Sequence, residues 1–275
     1  MKRKGIMILV CFLLIIMSSG CQRRREFAGA EDCRGGKVDE QTLRILSTKS
    51  IYFGHQSVGL NIVEGIEELL RTTEHALFAT KETRVYLDLK PGVFAHSKVG
   101  VNHDPIAKIH DFRSFIDSGA GEVLDIAFFK FCYVDIVEDT DINKVFSEYS
   151  STMDYLSQKY PRVKFVHFTV PLTVSSQGIK ARIKRLLGLG VWGDKDNLKR
   201  EQFNRLLRNQ YADSGRIFDL AAYESTLSDG RRNVINGANG VFYGLFSCYS
   251  SDAGHLNLSF SKTVANKLLV FLGSL

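Results

Sequence analysis

The chain lacks several patterns that identify a class of protein directly. No internal repeat, low-complexity stretch, CxxC pair or His-Glu-x-x-His motif occurs in its 275 residues. Without those cysteine and histidine spacings a structural zinc site is not expected, and neither a metal nor a cofactor is predicted. Long apolar runs are scarce as well. The one at the N-terminus, Ile6 to Met17, is shorter than the roughly 20 residues that a membrane-spanning helix needs.

The N-terminal residues have the order of a secretory signal. Three positive charges come first, the apolar run follows, and Ser18-Ser-Gly then precede Cys21. This order predicts an export signal over residues 1–20. Small residues directly before a cysteine resemble the bacterial lipobox, although Ser18 stands where that motif prefers leucine. We therefore expect a lipid on Cys21 that anchors the chain to a membrane, facing the periplasm or the cell exterior. The alternative is an ordinary signal peptide that is cleaved nearby.

The mature chain has little excess charge. The formal charge of +6 falls to +3 once the three cations of the signal are removed, and nucleic acid is not an expected partner. Residues 21–40 are mostly polar and contain glycine, which predicts a tether, and residues 41–275 suffice for one α/β domain. The mature chain keeps Cys33, Cys132 and Cys248. Three thiols permit one disulfide, and the sequence does not choose the pair.

Short apolar or β-branched segments recur along the domain, and segments with helical spacing separate them. The candidate strands are Ile51–Phe53, Arg84–Leu89, Leu124–Phe131, Val163–Phe168 and Arg216–Asp219. The candidate helices are Val58–Arg71, Ile106–Ile116, Ile142–Lys159, Asp196–Gln210 and Leu258–Leu272. This alternation predicts a three-layer α/β/α sandwich with a mainly parallel central sheet.

One stretch, Thr173 to Gly193, interrupts the alternation. It contains a basic patch over Lys180–Arg185 and then a mostly apolar segment that ends at Trp192, the only tryptophan of the chain. Long connections of this kind are often functional. The stretch is either a lid that faces the substrate or a packed surface loop, and the sequence does not distinguish between them.

Ser57 follows the first candidate strand in Gly54-His-Gln-Ser57-Val-Gly59, directly before a candidate helix. A serine at such a turn projects its hydroxyl from the carboxyl edge of the sheet, where N–H groups at the helix start can stabilise an oxyanion. The alternative is that Ser57 only caps the helix. The nucleophile elbow Gly-x-Ser-x-Gly is absent, because two residues separate Gly54 from Ser57.

Asp252 and His255 lie three residues apart, just before the last candidate helix. A serine hydroxyl is a weak nucleophile until a base removes its proton, and a carboxylate must orient that base. The two residues can form such a pair locally and reach Ser57 from a neighbouring strand end. The alternative is a helix-entry turn in which the aspartate caps and the histidine packs.

Together, the serine turn, the alternating elements and the C-terminal Asp-x-x-His resemble the SGNH, or GDSL-type, serine hydrolases over most of Ser50 to Leu272. The resemblance implies that Ser57 is the nucleophile, His255 the general base and Asp252 the acid that orients it. It also implies oxyanion donors from the serine amide, a glycine and an asparagine. The chain departs from the family in lacking its Gly-Asp-Ser and Gly-x-Asn-Asp motifs.

Residues near these motifs are candidates for the remaining oxyanion donors and for substrate binding. Gly100 could supply a backbone donor and Asn102 a side-chain donor, although a simple Gly/Asn/Pro turn is the alternative. Lys130 or Tyr133, after the middle strand, could replace the missing asparagine, or that donor is lost. His55, beside the serine, could line the pocket or replace the family's usual acidic residue there, or it could be a half-buried histidine satisfied by backbone.

Three other histidines recur every seven residues, at His96, His103 and His110, and Asp104 and Asp111 adjoin two of them. Such a set could indicate a metal-dependent deacetylase. A glycine and a proline interrupt any helix that would align the histidines, so a metal site is the weaker interpretation.

From the resemblance we expect an exported serine esterase that cleaves O-acyl esters, chiefly O-acetyl esters on cell-envelope or extracellular carbohydrate. Two alternatives stay open. A polysaccharide O-acetyltransferase would use the same triad, and an envelope-binding lipoprotein could keep the fold without catalysis. The expected partners are the ester substrate and a membrane contacted through the N-terminal lipid. The sequence does not indicate the oligomeric state.

Overall fold

The computed structural model describes residues 38–71, 78–237 and 240–275. The predicted signal peptide, Cys21 and Cys33 lie outside these residues. The helices are α1 (Glu40–Leu46), α2 (Val58–Leu70), α3 (Pro105–Asp117), α4 (Ile142–Lys159), α5 (Ile179–Leu186), α6 (Asp194–Tyr211), α7 (Leu220–Glu224) and α8 (Leu258–Gly273). The strands are β1 (Ser50–His55), β2 (Ala79–Glu82), β3 (Val93–Lys98), β4 (Ile126–Phe129), β5 (Lys164–Phe168), β6 (Ile217–Phe218), β7 (Val234–Gly237) and β8 (Gly240–Tyr243).

Strands β1 to β6 form one sheet in the order β2-β3-β1-β4-β5-β6, and every neighbouring pair is parallel. After β1 the chain forms β2 and β3 on one side of this strand within the sheet, and it then forms β4, β5 and β6 on the other side. The carboxyl end of β1 is therefore a topological switch point, which is where open α/β sheets hold their ligands. The parallel sheet predicted from the sequence is confirmed.

Two hydrophobic cores lie on opposite faces of this sheet. Helices α1, α2, α7 and α8 contribute buried side chains to one core, and α3, α4 and α6 contribute to the other. Successive side chains of a strand point to opposite faces. In β1, accordingly, Ile51 and Phe53 belong to the first core and Tyr52 to the second. Helices cover the sheet on both faces, which confirms the three-layer α/β/α sandwich.

The individual predicted elements agree with the structure in all but one case. Helices α2, α3, α4, α6 and α8 and strands β1, β4, β5 and β6 lie where the sequence predicts them. The strand predicted at Arg84–Leu89 is wrong, because β2 ends at Glu82 and Tyr86–Asp88 form a short 3-10 helix. The side chain of Leu87 is exposed, so the apolar character of this segment does not reflect burial. Strand β3 was not predicted.

Helices α2 and α8 pack against each other on one face of the sheet. A Cβ atom on Gly65 would lie 2.4 Å from the backbone oxygen of Ser261, so a side chain at this position would push the helices apart. Ser57 directly precedes α2, and His255 lies in the loop before α8. The close helix packing therefore brings together two residues that are 198 positions apart.

The interrupting stretch Thr173 to Gly193 contains α5, which packs beside β7. Strands β7 and β8 form an antiparallel hairpin outside the main sheet. Among the described residues, no helix is both long enough and apolar enough to cross a membrane.

Candidate active site

Ser57 occupies the turn between β1 and α2, at the N-cap position of the helix. Its backbone has φ 51° and ψ −114°, a conformation that non-glycine residues rarely adopt. Its hydroxyl makes no capping hydrogen bond to the helix. Instead, Oγ of Ser57 lies 2.6 Å from Nε2 of His255. The turn therefore directs the serine hydroxyl toward the histidine and away from the free amides of α2.

Asp252 holds His255 through two hydrogen bonds. Oδ2 of the carboxylate lies 2.7 Å from Nδ1 of His255, and Oδ1 accepts the backbone N–H of His255 at 2.8 Å. Oδ1 also accepts the N–H of Gly254 at 2.7 Å. The hydrogen bond from Gly254, helped by those from His255, lowers the pKa of Asp252 to about 2. The ionised carboxylate favours the proton on Nδ1, which leaves Nε2 able to accept the proton of Ser57.

Gln56 ties two further loops to the serine turn. Its Nε2 donates to the carbonyl oxygens of Val99 at 2.9 Å and Gly100 at 2.8 Å, in the loop after β3. Its carbonyl oxygen accepts a hydrogen bond from Sγ of Cys132, a buried thiol after β4, at 3.3 Å. These contacts hold both loops against the turn that carries Ser57. No motif in the sequence gives Gln56 this role.

A buried ion pair joins α3, which follows the first of these loops, to the second loop. Nζ of Lys108 lies 2.6 Å from Oδ2 of Asp135, and both side chains are fully buried. Asp135 also accepts the backbone N–H groups of His103 at 2.9 Å and Cys132 at 2.6 Å. Buried charges are tolerated when they are paired and hydrogen-bonded, and a set of bonds this complete fixes the loops in one arrangement.

Tyr133 lies against the triad. Its ring meets the ring of His255 edge to face, with centroids 5.7 Å apart. Gly254 leaves room for it, because a Cβ there would lie 2.6 Å from Cε1 of Tyr133. Burial raises the pKa of Tyr133 and the Asp252 carboxylate raises it further, against an opposing hydrogen bond with Ser57. The phenol therefore keeps its proton at neutral pH and can donate it in a hydrogen bond.

Gly100 and Asn102 are placed differently from their predicted roles. The N–H of Gly100 donates to Oδ2 of Asp111 at 2.8 Å, so this donor is already occupied and the structure does not support it as an oxyanion donor. Asn102 is exposed, and its Oδ1 accepts a hydrogen bond from Nζ of Lys108 at 2.8 Å. The amide nitrogen of Asn102 is the group left to donate to a substrate.

Lys130 and His55 are buried beside the site and do not face a substrate. Nζ of Lys130 donates to the carbonyl oxygen of Phe131 at 3.1 Å, and burial lowers the pKa of Lys130. This lysine supports the segment after β4, which corrects its assignment as an oxyanion donor. Nε2 of His55 lies 3.0 Å from Nδ1 of His96. Burial lowers the pKa of His55 to about 3, so it is a neutral core residue and does not line a pocket.

Two backbone N–H groups at the start of α2 remain available as oxyanion donors. Within the described residues, those of Ser57 and Val58 donate to no acceptor, whereas the N–H of Gly59 donates to the carbonyl of Gln56 at 3.0 Å. Both lie at the positive end of the helix dipole, which stabilises a developing negative charge. Val58 belongs to no motif, and only its position after Ser57 at a helix start could have identified it.

The triad opens to solvent. The side chain of His255 is 36% exposed and that of Asp252 is 55% exposed. Water and a large substrate can therefore both approach Oγ of Ser57. A serine, a histidine and a carboxylate joined by hydrogen bonds, beside free N–H groups at the switch point of a parallel sheet, form an arrangement that can carry out acyl transfer.

No family model matches the chain, and no curated protein matches its sequence. Matching solved structures include a proposed platelet activating factor from Streptococcus pneumonia, at 13% identity and a TM-score of 0.48, with 86% of this chain and 92% of that chain covered. A proposed GDSL-like lipase from Parabacteroides merdae ATCC 43184 is 10% identical with a TM-score of 0.43, covering 86% and 99%. The periplasmic domain of a lipopolysaccharide acetyltransferase from Salmonella ser. Paratyphi A is 14% identical with a TM-score of 0.42, covering 86% and 92%. Likenesses this remote assign no activity to the chain.

Proposed function

We propose that this chain is an exported serine esterase that cleaves O-acyl esters, with acetyl esters on cell-envelope or extracellular carbohydrate as its substrates. The observation that carries the proposal is the chain of hydrogen bonds from Oγ of Ser57 through His255 to Asp252, with distances of 2.6 and 2.7 Å. A serine becomes an effective nucleophile when a base and its orienting carboxylate are arranged in this way.

In the first half of the reaction, Nε2 of His255 takes the hydroxyl proton while Oγ of Ser57 attacks the ester carbonyl carbon. Negative charge develops on the former carbonyl oxygen, and the N–H groups of Ser57 and Val58 and the hydroxyl of Tyr133 donate to it. The tetrahedral intermediate then collapses. The carbon–oxygen bond to the alcohol breaks, and the imidazolium of His255 returns its proton to the departing alcohol.

Water completes the reaction in the second half. His255 removes a proton from a water molecule, the oxygen attacks the acyl carbon on Ser57, and the same donors stabilise the second tetrahedral intermediate. The bond to Oγ breaks, the acid leaves, and Ser57 regains its proton from His255. Asp252 stays ionised throughout and stabilises the imidazolium in both halves.

Two features of the site favour hydrolysis over the alternatives. A transferase must exclude water while it admits an acceptor sugar, and the exposed side chains of His255 and Asp252 form no such enclosure. A protein that only binds has no need of the positive φ at Ser57. Backbone strain of this kind persists chiefly where function requires it.

Export and the lipid on Cys21 belong to the same proposal. A serine hydrolase held outside the cytoplasm meets polysaccharide, peptidoglycan and lipid, and has no cytoplasmic acyl donor at hand. Mass spectrometry of the chain recovered from membranes tests this part, because a mature N-terminus other than a diacylglycerol-modified Cys21 would contradict it.

The catalytic part is tested by fluorophosphonate labelling and by turnover of p-nitrophenyl acetate. The full chain should be labelled and should turn over substrate, and Ser57→Ala should lose both properties. Ser118→Ala is the matched control, since Ser118 is an exposed serine just beyond the far end of α3 and should have no effect. Labelling or turnover that persists in Ser57→Ala would remove Ser57 from the mechanism. Release of acetate from O-acetylated envelope carbohydrate then tests the substrate class.

A further inference from the structure

Residues 179–192, which we call the α5 surface, present an unusual number of apolar side chains to solvent. Leu186 is 86% exposed and Trp192 is 62% exposed. The six large exposed apolar residues of this surface are Ile179, Ile183, Leu186, Leu187, Leu189 and Trp192. The sequence left open that this stretch is a packed surface loop, and side chains this exposed do not fit that interpretation. Contiguous exposed apolar side chains mark a surface that meets a partner.

Cations accompany these apolar side chains. Lys180, Arg182 and Lys184 lie on α5, and none of the three has an ion-pair partner within the described parts of the chain. No acidic residue occurs between Ser176 and Gly193. Exposed aliphatic side chains beside unpaired cations on one helix are typical of segments that lie in the interface of an anionic bilayer.

An ion pair and hydrogen bonds hold the α5 surface to the rest of the domain. Arg185, in the last turn of α5, points inward, and its Nε lies 2.6 Å from Oδ2 of Asp194. Nη2 of Arg185 donates to Oγ of Ser175 at 2.8 Å, and Ser175 itself donates to Asp194. The side chains of Arg185 and Asp194 are about nine-tenths buried. Ser175 precedes the α5 surface and Asp194 follows it, so these contacts hold both of its ends to the domain. The apolar residues between them stay outside the core.

The α5 surface lies at the same edge of the sheet as the triad. The N–H of Val174 donates to the carbonyl oxygen of Ala253 at 2.8 Å, within the loop that carries the catalytic aspartate and histidine. The first turns of α2 and α8, which adjoin the triad, expose Leu60 and Leu258. Exposed apolar side chains therefore occur both on α5 and at the helix ends next to the triad.

We propose that the α5 surface docks the domain on an anionic phospholipid bilayer and so presents the triad to acyl esters at that membrane. This contact is separate from the lipid on Cys21, and it rests on the proposed export of the chain. Five of the six exposed side chains are aliphatic. Aliphatic groups insert among acyl chains but do not stack on a sugar ring, so a bilayer fits this surface better than a polysaccharide.

Fluorescence of Trp192 tests the proposal, because it is the only tryptophan of the chain and reports on this surface alone. The full chain is mixed with phosphatidylglycerol vesicles and, separately, with phosphatidylcholine vesicles. Anionic vesicles should shift the emission to shorter wavelength, and added salt should weaken the response. Lys180→Gln combined with Lys184→Gln should lower the affinity about 25-fold, since each cation near an anionic surface contributes about a fivefold factor.

Apolar variants complete the test. Leu186→Ser combined with Leu187→Ser should abolish the shift, whereas Val270→Ser, an exposed apolar residue at the far end of α8, should leave it unchanged. All these variants should hydrolyse soluble p-nitrophenyl acetate at the wild-type rate, which shows that they are folded and separates failed docking from a failed esterase. Emission that anionic vesicles leave unchanged would overturn the proposal. So would an equal response to both vesicle types, a shift caused by oligosaccharide alone, or a shift that grows with protein concentration without lipid.

Discussion

Substitution of Ser57 separates the two properties that the structure gives this residue, a hydroxyl that is hydrogen-bonded to His255 and a strained backbone. Ser57→Ala and Ser57→Gly both remove Oγ, so both should abolish turnover and fluorophosphonate labelling. They should differ in stability. Alanine must keep φ 51° and ψ −114° with a Cβ atom, whereas glycine adopts such a conformation without steric strain.

The size of this difference follows from two opposing terms. A side chain held in a sparsely populated backbone region costs about 1–3 kcal/mol. Glycine avoids that cost. It lowers the free energy of unfolding by about 0.4–1 kcal/mol, however, because the unfolded chain with glycine has more accessible conformations. We therefore expect Ser57→Gly to be more stable than Ser57→Ala by about 1 kcal/mol. For a domain of this size, that corresponds to a Tm higher by about 2–4 °C.

Differential scanning calorimetry of the two variants measures the difference. Ser47 provides a matched control, since its φ of −63° is helical and glycine should there be the less stable of the two substitutions. If Ser57→Ala is as stable as Ser57→Gly, the strain at this turn is not real. If the glycine variant is more stable than the alanine variant at Ser47 as well, the stability difference at Ser57 has a cause other than backbone strain.

Further predictions concern the neighbours of the serine and one buried acid. Asp252→Asn should lower kcat roughly 10³–10⁴-fold, because a neutral amide no longer stabilises the imidazolium. Tyr133→Phe keeps the ring but removes a donor, and should lower kcat about 10²-fold with little change in KM. Gly254→Ala should lower kcat, because the new Cβ would lie 2.6 Å from the Tyr133 ring. Gly190→Ala should not, because its Cβ would meet no atom of the described residues within 4 Å. Burial raises the pKa of Glu224 to about 8, so the folded chain keeps a proton that the unfolded chain has lost above 4.5. The stability of the wild type relative to Glu224→Gln should therefore fall as the pH rises from 4.5 to about 8, by up to about 1 kcal/mol per pH unit, because the buried histidines contribute equally to both chains.

Steady-state kinetics and pH-dependent denaturation check these expectations. A kcat that survives Asp252→Asn would show that the carboxylate does not orient the base. A rise in KM alone for Tyr133→Phe would make the tyrosine a substrate-binding group and not an oxyanion donor. Equal activity of the Gly254 and Gly190 variants would count against the close packing of Tyr133. A stability difference between the wild type and Glu224→Gln that is level from pH 4.5 to 8 would show that Glu224 is ionised when folded.

The sequence places Ser57, Asp252 and His255 at one site for a general reason. The carboxyl ends of parallel strands share one edge, so a serine after the first strand and an Asp-x-x-His before the last helix have to lie near each other. The distance of 2.6 Å between Oγ of Ser57 and Nε2 of His255 could not be predicted, because it depends on how closely α2 approaches α8 at Gly65. That approach is a tertiary contact, and no local pattern encodes it.

Strand β3 shows why part of the fold escaped prediction. His96 and Ser97 are polar and interrupt the apolar pattern, yet both are buried. Ser97 is hydrogen-bonded to Tyr52 at 2.7 Å, 45 residues away, and His96 is paired with His55, 41 residues away. Partners this distant satisfy polar groups in a buried strand, and hydrophobic periodicity cannot reveal them.

Two of the candidate oxyanion donors, Gly100 and Lys130, do not fill that role for a related reason. The amide of Gly100 looked available because the sequence does not show that Asp111, eleven residues later, accepts its hydrogen. The charged end of Lys130 was expected to face a substrate, but it donates to the neighbouring carbonyl inside the domain. Whether a donor is free depends on all the groups around it, which only the folded chain determines.

The packing of α2 against α8 also has a consequence for heat inactivation. Ser57 directly precedes α2, and His255 lies in the short loop before α8, where the N–H of Leu256 donates to Oδ1 of Asn61 on α2 at 3.3 Å. Because this loop is held by both helices, separating Ser57 from His255 requires that the packing of α2 against α8 is lost, and for a single cooperative domain that is unfolding itself. On heating, esterase activity should therefore vanish in the same transition as the helical circular dichroism signal, with no temperature range in which the fold persists and the enzyme is inactive.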